Sequence, residues 1–337
     1  MTPRLARRAV ARLALSAIVT IASVEWLLFL LRPEGGPFAV LQIIAPHLAL
    51  ASLIVVPVAL LIRTRATGIA VGALILVVGL RFGGDWVSLP PATPTAGSVQ
   101  LDVVTWNLEI ESRPGVDTAA MLRTRPADIV AVQELQPDAA AAIEADAVLI
   151  ARYPYRKLVA RDDVGGMGIL SRWPILESTF QLDPIVQQAT IDLAGGRRLG
   201  IVNAHPFHAE IETFGRTHLP VGMDPARRND DLAAVRVRID ELLGQGLPVL
   251  MLGDLNTATS EPAFDRFTAE LRDVHREVGF GPGWTWRPIK FEFLGIGLVA
   301  IDHIIASPDI APLSIAGECP VIGDHCLVEA TLAVPGG

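Results

Sequence analysis

The chain has 337 residues, of which 51% are hydrophobic and 19% charged, too apolar a balance for an ordinary soluble protein. The excess is local. Up to Phe82 there are eight Arg, no Lys and two acids, Glu25 and Glu34. Of the 28 basic residues, 28 less eight leaves 20 from Gly83 onward. Of the 36 acidic, 36 less two leaves 34, so this part carries a formal charge of −14. Such a charge excludes the basic field expected of a duplex nucleic-acid binder.

Three apolar runs open the chain: Leu13 to Leu31, Phe38 to Ile62 and Ala66 to Leu80. A spanning helix needs roughly 20 mostly apolar residues. The first two runs reach that length, and the third does so if flanking residues such as Arg81 extend toward the interface. A cleaved signal peptide accounts for the first run but not for the other two. Arg4, Arg7, Arg8 and Arg12 precede the first run, and Arg63 and Arg65 separate the second from the third. Positive charge stays on the cytoplasmic side, so three spans leave everything after Arg81 outside the cytoplasm. Glu25 and His47 are ionisable groups within the spans, expected to face a neighbouring helix or an interface. The Pro- and Thr-rich stretch Ser88 to Ser98 reads as an extended spacer. The expected organisation is a membrane region over 1–82, a linker over 83–98 and one domain over 99–337.

In that domain, strands are expected at Val99 to Glu109, Asp128 to Gln133, Gly165 to Ile175, up to Ala204, at Val249 onward, Leu298 to Ser307 and Cys326 to Val334. A short helix precedes Asp128, and helical spacing runs from Ala226 to Gly244. The order is mixed α/β. Phe291 to Val299, "FEFLGIGLV", is an apolar stretch that reads first as a buried strand and secondly as a lipid-facing element.

Polar residues recur where strands end: Asn107, Glu134, His205, Asp254, Asn256, Asp302, Asp324 and His325. Residues i and i+2 of a strand share a face, so Asp254 and Asn256 can enter one pocket. Carboxylates and amide oxygens suit a hard cation such as Mg²⁺, and an amide N–H suits a phosphate oxygen. Leaving so many such groups buried and unpaired would be costly, and a shared purpose explains them better than packing.

In chain order "TWN", "VQEL", "GILSR", "NAHPF", "GDLN", "IDHI" and "GDH" resemble the motifs of the endonuclease/exonuclease/phosphatase (DNase I-like) superfamily, from Val99 to Val334. The resemblance implies a four-layer α/β/β/α sandwich and a Mg²⁺- or Mn²⁺-dependent phosphoric ester hydrolase. It casts Glu134 as metal ligand with Asn107 nearby, and Asp254 as the group that directs the attacking water. Asn256 and Asn107 are implied as substrate ligands, and His205 stands at the phosphate. Asp302 would orient a site histidine. His325 would hold the scissile phosphate, with Asp324 as its partner or a further metal ligand. Two positions depart from the common pattern: Gly323 stands where many members have Ser, and Ala300 where many have Arg.

His208 reads as a solvated loop residue and His303 as structural, while Trp284 and Trp286 serve either core or site wall. The three spans further resemble a bacterial branch, linked to glycopeptide resistance, whose catalytic domain lies outside the cytoplasm. That points to a phospholipid or lipid-linked envelope substrate. The alternatives are an extracytoplasmic nuclease and a non-catalytic binding protein on the same fold. Cys319 and Cys326, the only cysteines, stand in the part expected outside, where a disulfide can persist. Two buried thiols are the other reading.

Overall fold

The structure, a computed structural model, describes residues 3–335 apart from 62–63, 89, 92, 111–112, 194, 216–218 and 321–322, with only the backbone of 3–8. Arg63 and the side chains of Arg4, Arg7 and Arg8, on which the expected orientation partly rests, lie outside the described residues. The chain divides into two compact units.

The first unit holds three long helices, α1 (Pro3–Leu31), α2 (Gly36–Leu60) and α3 (Arg65–Trp86). Within them Ala9–Leu31, Gly36–Leu60 and Arg65–Trp86 are long and apolar enough to cross a membrane. The third helix runs past Phe82 to Trp86. Ile18, Ala59, Leu74 and Val77 pack between the helices, while Leu13, Leu53, Ile54 and Ile69 point outward. Apolar side chains on both faces suit a lipid surround, where helices associate by packing and by polar contacts. One polar contact is built here: Arg81 Nη1 donates to Glu25 Oε2 at 2.7 Å and its Nη2 to Gln42, whose Nε2 donates to the Leu28 carbonyl at 3.1 Å. Glu25 thus faces α3. The unit also includes the hairpin of β8 (Glu210–Thr213) and β9 (Pro220–Asp224), with β9 packed against α2.

The second unit is built on two six-stranded sheets. The first runs in the order β13 (Ala311–Glu318), β14 (Leu327–Val334), β1 (Val99–Asn107), β2 (Ile129–Gln133), β4 (Met167–Ser171), β3 (Tyr155–Val159). The second runs β11 (Arg272–Asp273), β12 (Asp302–Ala306), β10 (Val249–Asp254), β7 (Arg197–Ala204), β6 (Ile185–Leu193), β5 (Ile175–Leu182). The period of two decides which residues meet. Leu101, Val103, Ile129 and Ala131 of one sheet face Leu199, Ile201, Leu250 and Leu252 of the other, forming the inner core. The alternate residues Val104, Val130 and Val132 pack outward on α4 (Gly115–Arg123), α5 (Pro137–Ala145) and α6 (Ala147–Arg152). Val202, Val249 and Met251 pack outward on α7 (Ala226–Gly244) and α8 (Pro262–Phe267). A last short helix, α9 (Val274–Val278), follows β11. The expected α/β/β/α sandwich is therefore what the alternation builds.

Three sequence expectations change. Gly165 to Ile175 is not one strand, because β4 ends at Ser171 and Pro174 breaks the chain before β5. Leu298 to Ala300 lie ahead of β12, with only Val299 forming an isolated bridge to Trp286. "FEFLGIGLV" is not a buried strand: Ile289–Leu294 is a turn of 3-10 helix with no buried residue, and Phe293 is 73% exposed.

Candidate active site

Strands β1 and β2 run parallel, as do β7 and β10, so each pair ends at the same edge of its sheet. The inward parity of the inner core, continued to those ends, reaches Asn107 on β1, His205 just after β7 and Asp254 on β10. Asp302, paired directly opposite Asp254 at the start of antiparallel β12, shares that parity. The polar residues are the terminal members of the apolar inner face. One step below them, Gln133 Nε2 donates to Thr105 Oγ1 at 3.1 Å and to Asn203 Oδ1 at 2.7 Å. Asn203 Nδ2 donates in turn to the Val132 and Gly168 carbonyls. This satisfied network ties the two sheets together beneath the site, at positions sequence reading did not single out.

Asp254 is the hub. Its Oδ1 accepts from the Asn256 backbone N–H at 2.8 Å, and its Oδ2 accepts from Asn107 Nδ2 at 3.1 Å. The Nε2 atoms of His325 and His205 stand 3.6 and 3.7 Å from the same Oδ2. Both separations exceed a hydrogen bond, so the two rings converge on this oxygen without closing on it. Gly253 allows the close approach of β10 to β7, since a Cβ there would fall 2.1 Å from the Ala204 carbonyl oxygen.

Asn107 Nδ2 also donates to Glu134 Oε1 at 3.0 Å, and its Oδ1 accepts from the Glu109 N–H. Asn107 thus turns its amide N–H groups to the carboxylates of Glu134 and Asp254, while its Oδ1, accepting one N–H, keeps a second lone pair. Glu134 leaves β2 with φ 55° and turns back so that Oε2 accepts from Ile110 N–H at 2.9 Å; Oε1 lies 3.6 Å from His205 Nε2. Asn256 has φ 49°. Two non-glycine residues in the left-handed region, each costing about 1–3 kcal/mol, flank the same pocket. The Asn256 side chain donates to the Pro206 carbonyl at 3.0 Å, and Arg228, buried on α7, donates to the Asn256 carbonyl.

His325 Nδ1 donates to both oxygens of Asp302, at 3.0 and 2.9 Å. Its partner is therefore Asp302. Thr285 Oγ1 accepts from the N–H groups of Ile301 and Asp302 and fixes where that carboxylate begins. Burial opposes charge on His325, yet Asp302, Asp254 and Asp324 outweigh it and hold the imidazolium up to about 10. Burial, then Asp302, pushes Asp254 up to about 6 against the pull of His325 and His205. Asp324 flanks the dyad: Oδ2 accepts from Trp286 Nε1 at 2.9 Å, and Oδ1, buried with no hydrogen-bond donor, stands 3.7 Å from His325 Nε2. Burial raises its pKa, with the charge of Glu134 adding to the rise. Asp324 N–H donates to Glu109 Oε2, a carboxylate that sequence reading did not single out.

The donor set fits a hard divalent cation. Glu134 and the orphan oxygen of Asp324 are carboxylate groups within electrostatic reach of each other and could serve as ligands. Asp254, Asp302 and His325 also have ligand atoms within 4.8 Å of one another. That second group already holds a proton tightly on His325, which a cation would have to displace.

His208 lies exposed, with Nδ1 donating to the Ala209 carbonyl. His303 is buried, bonded to the Thr257 carbonyl and tilted against the Phe264 ring. Trp286 is a wall of the site, a role the sequence left open. Cys319 and Cys326 form a disulfide, with Cα atoms 4.0 Å apart. It closes the segment that carries Asp324 and His325. Arg287, fully buried, donates to the Pro320 and Gly323 carbonyls of that segment.

This fold and this set of residues define a DNase I-like α/β sandwich with a cleft of carboxylates, amides and histidines at one end. The model of the Endonuclease/Exonuclease/phosphatase family matches residues 104–325, and the chain belongs to that family. A solved endonuclease/exonuclease/phosphatase from Bacteroides vulgatus is 18% identical, with TM-score 0.55 over 70% of this chain and 100% of its own. Mannosyl-6-phosphatase Bt3783 of Bacteroides thetaiotaomicron is 17% identical, TM-score 0.51, over 69% of this chain and 99% of its own. D. rerio TDP2, solved with a single-strand DNA product, is 18% identical, TM-score 0.52, over 69% and 98%. At these identities the structures share the fold. No curated protein matches the chain.

Proposed function

We propose that the protein is a membrane-anchored, extracytoplasmic, Mg²⁺-dependent phosphoesterase acting on a phosphate ester or diester of a lipid or lipid-linked envelope substrate. The observation that carries this reading is the convergence of His205, His325 and Asn107 on Asp254 Oδ2, beside Glu134. Asp254, unprotonated above about pH 6, orients the attacking water and accepts its proton. His325, kept charged by Asp302, stabilises the negative charge that develops on phosphate. His205 is a donor to the same phosphate, and the Asn107 amide is expected to turn one N–H from the carboxylates to it when substrate binds. Asn256 supports the pocket through its bonds to Asp254 and Pro206, and its amide is expected to turn to a phosphate oxygen when substrate binds. Glu134 and Asp324 would hold Mg²⁺ or Mn²⁺, which supplies charge neutralisation at a phosphate oxygen.

Three apolar helices support the membrane anchor. Arg-rich flanks of the first helix and of the turn between the second and third support an outside domain. The charge of −14 after Gly83 favours a lipid phosphate over DNA. The test is a release assay on the full chain in detergent micelles with Mg²⁺, comparing phospholipids, polyprenyl pyrophosphate, inositol phosphates and DNA. Release from a lipid phosphate at the highest kcat/KM is expected. Preference for DNA would instead favour the nuclease reading, which the phosphodiester-competent site also accommodates.

A further inference from the structure

The segment 289–296 exposes Ile289 at 55%, Phe293 at 73%, Leu294 at 44% and Ile296 at 52%. None of the six residues of its 3-10 turn is buried. An aliphatic and aromatic tip of this kind on a water-facing loop is costly unless something covers it. The roots of the loop, by contrast, are held tightly. Leu298 and Val299 N–H both donate to the Trp286 carbonyl, and Thr285 N–H donates to the Val299 carbonyl. Gly297 is required there, because a Cβ would fall 2.4 Å from the Trp284 carbonyl oxygen. The apolar tip is thus carried on a pinned neck.

Both roots belong to the site. Trp286 donates to Asp324 and forms a bridge with His325. Three residues past the neck, Asp302 holds His325. Anything that seats the tip therefore seats the catalytic groups at a fixed distance from it.

The chain itself supplies the partner. Only residues 87–98 lie between the end of α3 and the start of β1. Fully extended, they reach at most about 45 Å. The domain is confined close to the bilayer that α1–α3 are built to enter, at a high effective concentration of lipid. Lys290 and Glu292 leave the loop with no net charge, so its approach to lipid rests on the apolar side chains.

We infer that residues 289–296 form a membrane-insertion loop that dips Phe293, Leu294 and Ile296 into the lipid surface and brings the site to phosphate at the headgroup level. The inference deepens the lipid reading above and rests on it, but immersion is measured without turnover, so the two fail separately. The native cysteines are bonded to each other, so Phe293→Cys in the full chain gives one free thiol for a polarity-sensitive fluorophore. The chain is reconstituted in vesicles of mixed neutral and anionic phospholipid, with and without a lipid bearing a spin-label quencher in its acyl chain. Blue-shifted emission is expected, quenched several-fold more than a label at Val237→Cys on the outer helix α7. Quenching no greater than at Val237 would overturn the inference. So would blue-shifted emission that lipid does not quench but that vanishes on dilution to a monomer, which would make a second copy the occupant.

The double variant Phe293→Ser/Ile296→Ser gives a second readout. Its rate on soluble p-nitrophenyl phosphate is expected to stay unchanged. Its KM for a phospholipid phosphate presented in the same vesicles should rise about tenfold, with kcat preserved. An unchanged KM on vesicles would also overturn the inference.

Discussion

His325 and Asp302 are joined by a two-pronged contact, Nδ1 to both carboxylate oxygens at 3.0 and 2.9 Å, with both side chains buried. The contact fixes which nitrogen is left for the substrate: Nε2, 3.6 Å from Asp254 Oδ2. A carboxylate that holds an imidazole this way sets both its orientation and its charge.

Activity should therefore follow a bell-shaped pH profile. As pH falls through about 6, Asp254 takes up a proton and stops accepting one from water. As pH rises through about 10, His325 loses its positive charge. In Asp302→Asn the negative charge that raises both groups is gone, so both limbs of kcat/KM move to lower pH. The profile on bis(p-nitrophenyl) phosphate with Mg²⁺ measures this; limbs that stay in place would separate Asp302 from the reaction.

Glu134→Gln keeps the size of the side chain and removes its charge. Turnover should be abolished while circular dichroism and melting stay close to the parent. EDTA should silence the parent chain, and Mg²⁺ or Mn²⁺ should restore it. Full activity in EDTA would remove the metal from the chemistry.

His325→Ala and Asp254→Ala should each lower kcat by at least about 10²-fold, the scale of losing an acid–base or charge-stabilising group. KM should change less. Near-parental rates for both variants would place the chemistry elsewhere.

The bridge between Cys319 and Cys326 closes a segment only seven residues long in sequence separation. Its effect on unfolding should be modest, roughly 2–3 kcal/mol by loop-closure entropy. Its effect on rate should be larger, because Asp324 and His325 ride inside it and small misplacement of a catalytic group costs about 10²-fold. Cys319→Ser/Cys326→Ser, or the parent under strong reductant, should show lowered kcat and melting lowered by about 5–10 °C. An equal rate with and without the bridge would make Arg287 and Trp286 sufficient to hold the segment.

A reporter that works only outside the cytoplasm, fused after the last residue, should be active. Signal from a reporter that works only inside would reverse the orientation.

Much of this molecule was legible in the chain. Three apolar runs of spanning length became α1–α3 because length and hydropathy are local properties. Only the fold starts a strand at Asp302, whereas the strand-end positions of Asn107, His205 and Asp254 follow from a period of two and from where apolar runs stop. Their convergence on Asp254 Oδ2 does not, since it depends on two sheets stacking with matched edges. Tertiary structure alone assigned Asp302, and not the adjacent Asp324, as the partner of His325, because the ring faces β12 across the cleft. It also turned Asn107 so that its amide meets the carboxylates, enlisted Glu109 and Trp286 around Asp324, and buried Arg287 against the disulfide segment. "FEFLGIGLV" shows the limit most directly. Its composition is that of a buried strand, yet among the described residues only Val299 of it finds a β partner, Trp286, and the side chains of its 3-10 turn stay unburied. Hydrophobicity is written in the sequence; what it is buried against is a property of the fold.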